Sequence, residues 1–228
     1  MKSICLIILV FFSAGLFGAS HTVESGASIQ AAIDGAGSGD TVKVAAGTYN
    51  ESIDIESKTI KLLGGYPGGG DFASRDPEGN VTTIQGSSST AVVIIHRAAD
   101  CRVDGFTLTG GNRGVLAPRD WGDAGLTADT ISNCIIENCH LVDNSSSEYG
   151  AGIKISGEGL VILDNIIRDN ESDNRGAGIY TGGTGFLVKG NLFENNMARG
   201  DHCSTGCFFG SGTVTENICL DIKLHGGK

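Results

Sequence analysis

The chain is short of aromatic residues, proline and positive charge. Its 228 residues include 3 Pro and 1 Trp, and aromatic residues make up 6% of the total. Lys and Arg number 16 against 26 Asp and Glu, so the net charge is −10. This acidity argues against nucleic acid or an anionic membrane as a partner, because like charges repel. An acidic polysaccharide would also be repelled unless a cation mediated the contact.

Long apolar runs are missing after the first residues. The chain begins MKSICLIILVFFSAGLFGAS, with Lys2, an apolar run from Ile4 to Phe12, and small residues at Gly18 and Ser20. This layout predicts a secretory signal peptide over residues 1–20, and the apolar run is too short to favour a membrane span. We therefore expect a secreted or cell-surface protein with no transmembrane span, whose single domain occupies residues 21–228.

Glycine, by contrast, is abundant, with 36 residues, and much of it recurs at a fixed interval together with apolar residues. The interval is 26 residues, as between Asn165 and Asn191. Residues at the same position in successive repeats form a column, and three columns are clear: Cys139/Asn165/Asn191/Asn217, Ile136/Ile162/Val188/Val214 and Leu141/Ile167/Phe193/Cys219. A strict period of this length indicates a solenoid, in which each repeat buries its apolar side against its neighbours.

The repeats predict strands rather than helices. Their apolar segments are short, β-branched and alternating, and they are interrupted by Gly or Asn. Helical repeats need longer runs with a period of about 3.6 residues. We therefore predict an all-β solenoid of parallel strands, stacked about 4.8 Å apart, in which the Asn column forms a structural ladder of hydrogen bonds.

A different pattern occurs near the N-terminus. The segment SIQAAIDGA places Ile29, Ala32 and Ile33 on one helical face, with Ser28 or Ser25 able to cap the start of the helix. This predicts a short N-terminal capping α-helix that covers the open end of the coil.

Several longer segments carry a family resemblance. SIQAAIDGAGSGDTVKVAAGTYNESIDI, LLGGYPGGGDFASRDPEGNVTTIQG, VDGFTLTGG and the GAGI…N repeats resemble right-handed parallel β-helix proteins. The likeness is to the pectate-lyase-like superfamily and to repeat proteins similar to chlamydial polymorphic outer-membrane proteins. It implies a single-stranded right-handed parallel β-helix, a fold that hosts lyases, hydrolases, adhesins and structural proteins.

The cysteines allow several interpretations. Six remain once Cys5 leaves with the signal peptide, an even number that permits disulfides. By the repeat, Cys203 and Cys207 fall in inward columns, the latter with Thr181, and Cys219 follows Phe193 inward. Buried free thiols, a disulfide, and a zinc-type site that includes His202 all remain open.

One segment breaks the repeat. Residues 110–130 are too long for a tight turn and contain Arg119, Asp120 and Trp121. An aromatic face and charged groups suit sugar binding, so these three residues are predicted to bind a substrate. The alternative is that Trp121 covers the coil. Tyr180, in the outward column of Lys154, either extends the groove or decorates the sheet.

The acidic residues raise the question of a cation. Asp143, Asp169 and Asp221 share a column with Asn195. Stacked carboxylates repel each other unless they are solvated or share a hard cation. The interpretations are therefore solvated turns or a Ca²⁺ site that uses Asp143, Asp169 and Asp173.

Two arginines are the candidates for a catalytic role. Elimination on an acidic sugar needs a base and usually Ca²⁺, and Arg168 and Arg175, near those acids in sequence, are the catalytic candidates. The chain lacks the Arg-Pro-Arg and Gly-His-Gly strings of lyases and hydrolases with this fold. We therefore expect an exported β-helix protein that interacts with a polysaccharide or the cell surface, as a binding or structural module. The alternative is a Ca²⁺-dependent polysaccharide (uronide) lyase.

The final coil carries an expectation of its own. The segment LDIKLHGGK shows no pattern like the helix at the other end, and an uncovered strand edge is a template for pairing. This predicts end-to-end self-association.

The Ca²⁺ interpretation predicts that millimolar Ca²⁺ raises the melting temperature. An ion present at 100 times its dissociation constant stabilises the folded state by about 2.7 kcal/mol. Asp169→Ala should abolish the rise in differential scanning fluorimetry, whereas Asp71→Ala, an acid outside the column, should keep it. A wild-type melting curve that Ca²⁺ leaves unchanged would mean that the acids are solvated turn residues.

Overall fold

The computed structural model describes residues 18–117, 131–199 and 203–220. In these residues the chain winds as a coil of parallel strands that returns to the same three faces, with one short helix near its start. The predicted all-β parallel β-helix is confirmed. Helix α1 spans Ile29–Gly35, as predicted for the cap.

The strands of the coil fall into recurring sets. The first face contains β1 (Ser20–Val23), β2 (Thr41–Ala45), β5 (Lys61–Tyr66), β8 (Arg102–Asp104), β11 (Ile135–Glu137) and β15 (Val161–Leu163). The second face contains β3 (Gly47–Tyr49), β6 (Thr82–Gln85), β9 (Thr107–Thr109), β12 (His140–Val142), β16 (Ile166–Arg168), β19 (Leu192–Glu194) and β22 (Ile218–Cys219). The third face contains β4 (Ile53–Glu56), β7 (Ala91–His96), β10 (Arg113–Ala117) and β14 (Ile153–Glu158).

Further strands connect these faces. Short strands β13 (Ser145–Ser146), β17 (Glu171–Ser172) and β20 (Met197–Ala198) pair in a small sheet of their own. Strands β18 (Ile179–Lys189) and β21 (Gly206–Thr215) continue from the third face into the first face of the next coil. The first and third faces are therefore joined through β18.

The predicted columns set the register of the strands. Ile136 pairs with Ile162, and Ile162 with Val188. Leu141 pairs with Ile167, and Ile167 with Phe193. These side chains are buried in one continuous apolar core along the axis of the coil, since each inward residue packs on its counterpart in the next coil.

The corners of the coil explain the recurring acids and amides. Asp143, Asp169 and Asn195 follow the second face and have φ of 54°, 55° and 55°. Asn and Asp tolerate this left-handed conformation better than most residues. At the preceding corner Asp164 has a φ of 52° and Gly190 one of 68°. Backbone geometry therefore accounts for these columns whether or not a cation is bound.

The Asn ladder is confirmed and has a parallel counterpart. The Asn191 Oδ1 accepts hydrogen bonds from the backbone N–H of Asn165 at 3.0 Å and from its Nδ2 at 2.9 Å. In the next step the Asn217 Oδ1 accepts from the backbone N–H and from the Nδ2 of Asn191, each at 2.9 Å. A second ladder links Asn144, Asn170 and Asn196. These amides satisfy buried backbone groups at the corners, where sheet hydrogen bonding is interrupted.

Helix α1 covers the N-terminal end of the core. Ile29 and Ile33 are buried in the core, and Ala32 packs against the core. The Ser28 hydroxyl accepts from the Ala31 N–H at 3.1 Å, which confirms one of the two predicted caps. Glu51 reinforces the helix start by accepting from the Ile29 N–H at 2.7 Å.

The N-terminal segment has consequences for the predicted signal peptide. Strand β1 begins at Ser20, and the Ala19 carbonyl accepts from the Thr41 N–H at 2.8 Å. Cleavage after Ser20 would remove this first pairing and leave most of β1. Within the part of the chain that the structure describes, no helix has the length and apolar composition needed to cross a membrane.

The last coil departs from the predicted register. Cys207 pairs with Tyr180, and Phe208 rather than Cys207 pairs with Thr181, because one extra residue precedes β21. The prediction for Cys207 was therefore wrong by one position, which reverses the direction of its side chain. The predicted inward position of Cys203 was wrong as well, since Cys203 is exposed and forms a disulfide with Cys207.

Two further predictions for the last coil need correction. Val214 and Cys219 occupy the predicted columns, but Val214 is 47% exposed and Cys219 is also exposed. An inward position is buried only when another coil packs on it. The break in the repeat is also shorter than predicted, because Arg113–Ala117 form β10, in register with β7 and β14.

Because Phe193 lies in the core, Phe193→Asp should destabilise the protein by more than about 3 kcal/mol, since a buried unpaired charge adds to the loss of the ring. Leu192→Asp is the matched control, because Leu192 is the neighbouring residue on the opposite side of β19 and is partly exposed. Urea unfolding followed by circular dichroism measures the difference. Equal stability of the two variants would contradict the inward position of Phe193.

Candidate binding cleft

The outer surface of the second face forms the floor of a cleft. Thr107, His140 and Ile166 occupy paired positions on β9, β12 and β16, so their side chains form one outward column. The column continues to Leu192 and Ile218. Polar side chains thus give way to apolar ones along the coil axis.

One wall of the cleft is a long excursion of residues 67–81 between β5 and β6. Arg75 anchors it: Nε donates to the Gly64 carbonyl at 2.7 Å, and Nη2 donates to Asp104 Oδ1 at 2.7 Å and to the Asp104 carbonyl at 3.0 Å. Glu24 fixes the start of the excursion by accepting from the backbone N–H groups of Gly69 and Gly70, each at 2.8 Å. This wall is held by charge-assisted hydrogen bonds rather than by a sheet.

Asp104 is the buried partner that these contacts require. Only 1% of the residue is exposed. Burial raises its pKa, but hydrogen bonds from Arg75 and Asn138, with the charges of Arg75 and Arg102, outweigh burial and lower the pKa overall. Asp104 is therefore ionised at neutral pH, and its charge compensates that of Arg75 beneath the cleft.

The cleft has a volume of about 630 Å³, in the range of sites for small ligands. Its second wall is the corner formed by Asn138 and Asp164. Its lining combines hydroxyl, amide, imidazole and carboxylate groups with apolar surfaces: Arg75, Asp76, Pro77, Glu78, Val81, Thr82, Gly105, Phe106, Thr107, Asn138, His140, Asp164 and Ile166.

His140 is the titratable group at the centre of the floor. Burial lowers its pKa, the nearby charge of Arg168 lowers it further, and Glu78 opposes both effects. The imidazole is therefore neutral at physiological pH and can both donate and accept a hydrogen bond.

The charge of the lining is predominantly acidic. Asp76, Glu78 and Asp164 line the cleft, whereas the positive charge of Arg75 is compensated by Asp104. An anionic ligand would meet repulsion here unless a cation accompanied it.

The predicted substrate-binding residues have different fates. Arg119, Asp120 and Trp121 lie outside the described residues. Tyr180 pairs with Lys154 as expected and is only 7% exposed. Its ring centroid lies 4.8 Å from that of Tyr149 and 5.0 Å from that of Phe209. Tyr180 is thus packed in an aromatic row on the third face, away from the cleft floor, and its role in binding stays a prediction.

The predicted catalytic residues follow different strands, and their role in catalysis stays a prediction. Arg168 lies at the end of β16 on the second face, with Nη1 at 3.4 Å from Asp169 Oδ2. Arg175 follows β17, and its carbonyl accepts from the Gly150 N–H at 3.1 Å. Only Arg168 is close enough to the cleft to affect His140.

The predicted calcium ligands are also divided. Asp143 and Asp169 occupy stacked corners, because Val142 pairs with Arg168. Asp173 instead lies 3.7 Å from Arg199 Nε. In the described ranges, no group of three or more His, Cys, Asp and Glu side chains is arranged to hold a metal ion. A Ca²⁺ ion at Asp143 and Asp169 stays a prediction.

Sequence reasoning missed the cleft itself. Arg75, Asp104, Asn138 and His140 were not singled out, although the segment between β5 and β6 is visibly rich in Gly and Asp. The spacing of the strands in the sequence was the signal that could have revealed it. Leu62 pairs with Val103 in the next coil, and the two residues are much further apart in sequence than the 26 residues of the repeat. Such an insertion marks the side of a solenoid on which loops gather.

The fold and the register define a parallel β-helix protein, and the comparison with known families agrees. Residues 76–218, well over half of the chain, match the family model described as right handed beta helix region. The chain belongs to this family. A search of the curated proteins found no match. The narrower likenesses to the pectate-lyase-like superfamily and to chlamydial repeat proteins stay predictions.

Asp104→Asn should loosen the wall of the cleft. The change removes a buried charge partner and should lower the free energy of unfolding by about 3 kcal/mol. Glu78→Gln is the control, because Glu78 is an exposed acid on the same excursion. Limited proteolysis should cleave residues 67–81 faster in Asp104→Asn than in the control; equal cleavage would contradict the anchoring role.

The same variant should alter the pH dependence of stability. The pKa of Asp104 is lower in the folded protein than in the unfolded chain. Its carboxylate therefore stabilises the folded state at pH values above the pKa of an unfolded Asp, and this stabilisation is lost as the pH falls through the pKa of the folded protein. Melting curves of the wild type should therefore drop more steeply at acid pH than those of Asp104→Asn.

Proposed function

We propose that this protein is an exported β-helix module that binds a polysaccharide or cell-surface glycan in the cleft on its second face. The observation that carries the proposal is the lining of the cleft, in which hydrogen-bonding groups alternate with apolar surface. Sugars present hydroxyls at their edges and C–H groups on their ring faces, so a site for them needs both kinds of contact.

The polar contacts would come from the floor and the far wall. Thr107, Asn138 and His140 offer hydroxyl, amide and neutral imidazole groups to sugar hydroxyls. Because the imidazole is uncharged, it requires no counterion from the ligand. Pro77 on the excursion and Ile166 on the floor supply apolar surface for the ring faces.

The charge of the cleft favours a neutral glycan over an acidic one. Three carboxylates line it, and Arg75 is already paired with Asp104. A uronic acid polymer would therefore bind only with a cation between the carboxylates.

The alternative function, a Ca²⁺-dependent uronide lyase, is favoured by one observation. Arg168 lies on the same face as His140, near enough for its charge to lower the pKa of that imidazole. A cationic side chain beside a neutral base is a combination that proton abstraction can use. The acidic lining of the cleft, which would repel an anionic uronide, supports the binding module instead.

A panel of immobilised neutral and acidic polysaccharides tests the binding function. We expect retention on a neutral glycan, with His140→Ala weakening affinity about tenfold, equivalent to about 1.4 kcal/mol. His21→Ala is the control, because His21 is a partly exposed histidine on β1, paired with Asp40. No retention on any polysaccharide, or equal loss in both variants, would contradict the proposed site.

The same protein distinguishes the alternative. Incubation with polyuronates and Ca²⁺ should leave the ultraviolet absorbance of unsaturated sugars unchanged if the protein only binds. A rising absorbance that Arg168→Ala abolishes would establish the lyase.

A further inference from the structure

Two cysteines occupy the same column of the core on consecutive coils. Cys101 directly precedes β8 and Cys134 directly precedes β11, and the residues that follow them, Arg102 and Ile135, are paired. The Ile135 N–H donates to the Cys101 carbonyl at 2.8 Å. Cys101 and Cys134 therefore stack directly on one another across the parallel ladder.

Apolar side chains flank the two cysteines in this column. The same register places Ile60 below Cys101, and Leu160 and then Phe186 beyond Cys134. All five side chains belong to the core. Two adjacent thiols thus lie between large apolar groups.

The side chains of the two cysteines interact. The two side chains are close enough that each shifts the pKa of the other. Cys101 Sγ donates to the Lys58 carbonyl at 3.2 Å, and Cys134 Sγ to the Ser132 carbonyl at 3.4 Å. In-register parallel residues are about 4.8 Å apart, which lies within the Cα separation of disulfides, about 4.4–6.8 Å.

We propose that Cys101 and Cys134 form a disulfide that joins their two coils across the core when the chain folds in the presence of a disulfide oxidant. Both residues are thiols in the structure. In sequence, the segment between them includes residues 118–130, so the cross-link would close a loop that spans the break in the repeat. The inference is independent of the glycan-binding proposal.

The reaction is thiol–disulfide exchange. One cysteine, as the thiolate, attacks a sulfur of a carrier disulfide, which releases one carrier thiol and leaves a mixed disulfide. The thiolate of the other cysteine then displaces the second carrier thiol. Two protons and two electrons leave the protein thiols, and the carrier disulfide is reduced to two thiols.

The folded protein does not present these thiols to a carrier. Because both residues are at most 1% exposed, exchange must take place before the coils close. Either cysteine can then be the first nucleophile, since both thiols are accessible in the folding chain.

Cys139 provides an internal comparison. It is fully buried, and burial raises its pKa to about 12. Its column contains Asn165 in the next coil, and its Sγ donates to the Glu137 carbonyl at 3.1 Å. Cys139 should therefore stay a thiol under conditions that join Cys101 to Cys134.

Peptide mapping of the full chain tests the cross-link. The protein is refolded with oxidised and reduced glutathione, unfolded without reductant in iodoacetamide, digested and analysed by mass spectrometry. We expect the peptides of Cys101 and Cys134 to be joined, and Cys139 to be alkylated. Alkylation of both Cys101 and Cys134, or pairing of either with another cysteine, would overturn the proposal.

A stability measurement removes the contribution of the other disulfide. In a Cys203→Ser/Cys207→Ser background, reductant during refolding should lower the melting temperature by on the order of 5–10 °C. Adding Cys101→Ala and Cys134→Ala should abolish this response to reductant, whereas adding Cys139→Ala should preserve it. A background variant that melts at the same temperature with and without reductant would contradict a stabilising cross-link.

Discussion

Every part of this protein depends on the parallel hydrogen-bond ladder that holds one coil on the next. The ladder fixes the register, so each inward side chain lies on a specific residue of its neighbour, as Ile162 lies between Ile136 and Val188. A coil alone would expose its apolar side and leave its backbone groups unpaired. The core, the Asn ladders and the cleft floor are all consequences of this stacking.

The regular part of the fold could be predicted because stacking makes one sequence interval recur. Residues such as Leu141, Ile167 and Phe193 must be apolar for the same physical reason, so their spacing reveals the register. The prediction failed at Cys207, where a single extra residue moved the pairing to Tyr180 and turned the side chain to the other side of the sheet. A strand has a period of two residues, so any miscount of one reverses it.

The cleft was harder to predict from the sequence because its wall is a segment that does not follow the repeat. The contact of Arg75 with Asp104 joins an irregular excursion to a strand of the next coil, 29 residues away, and no periodic pattern points to such a pair. His140 occupies a position that is Thr107 in one neighbouring coil and Ile166 in the other. Outward positions vary freely in a solenoid, so their function is visible only when the wall beside them is known.

The Asn ladders run in one direction. In each step the amide oxygen of one coil accepts the backbone N–H of the coil before it, as Asn191 does for Asn165 and Asn170 for Asn144. A coil therefore lacks acceptors for two of its buried backbone N–H groups, such as those of Asn165 and Asn170, until the next coil has formed. During synthesis the N-terminal coils are made first. The hydrogen bonds of each coil are then completed by the segment that is synthesised next, so the coils become fully hydrogen-bonded in the order in which they are made.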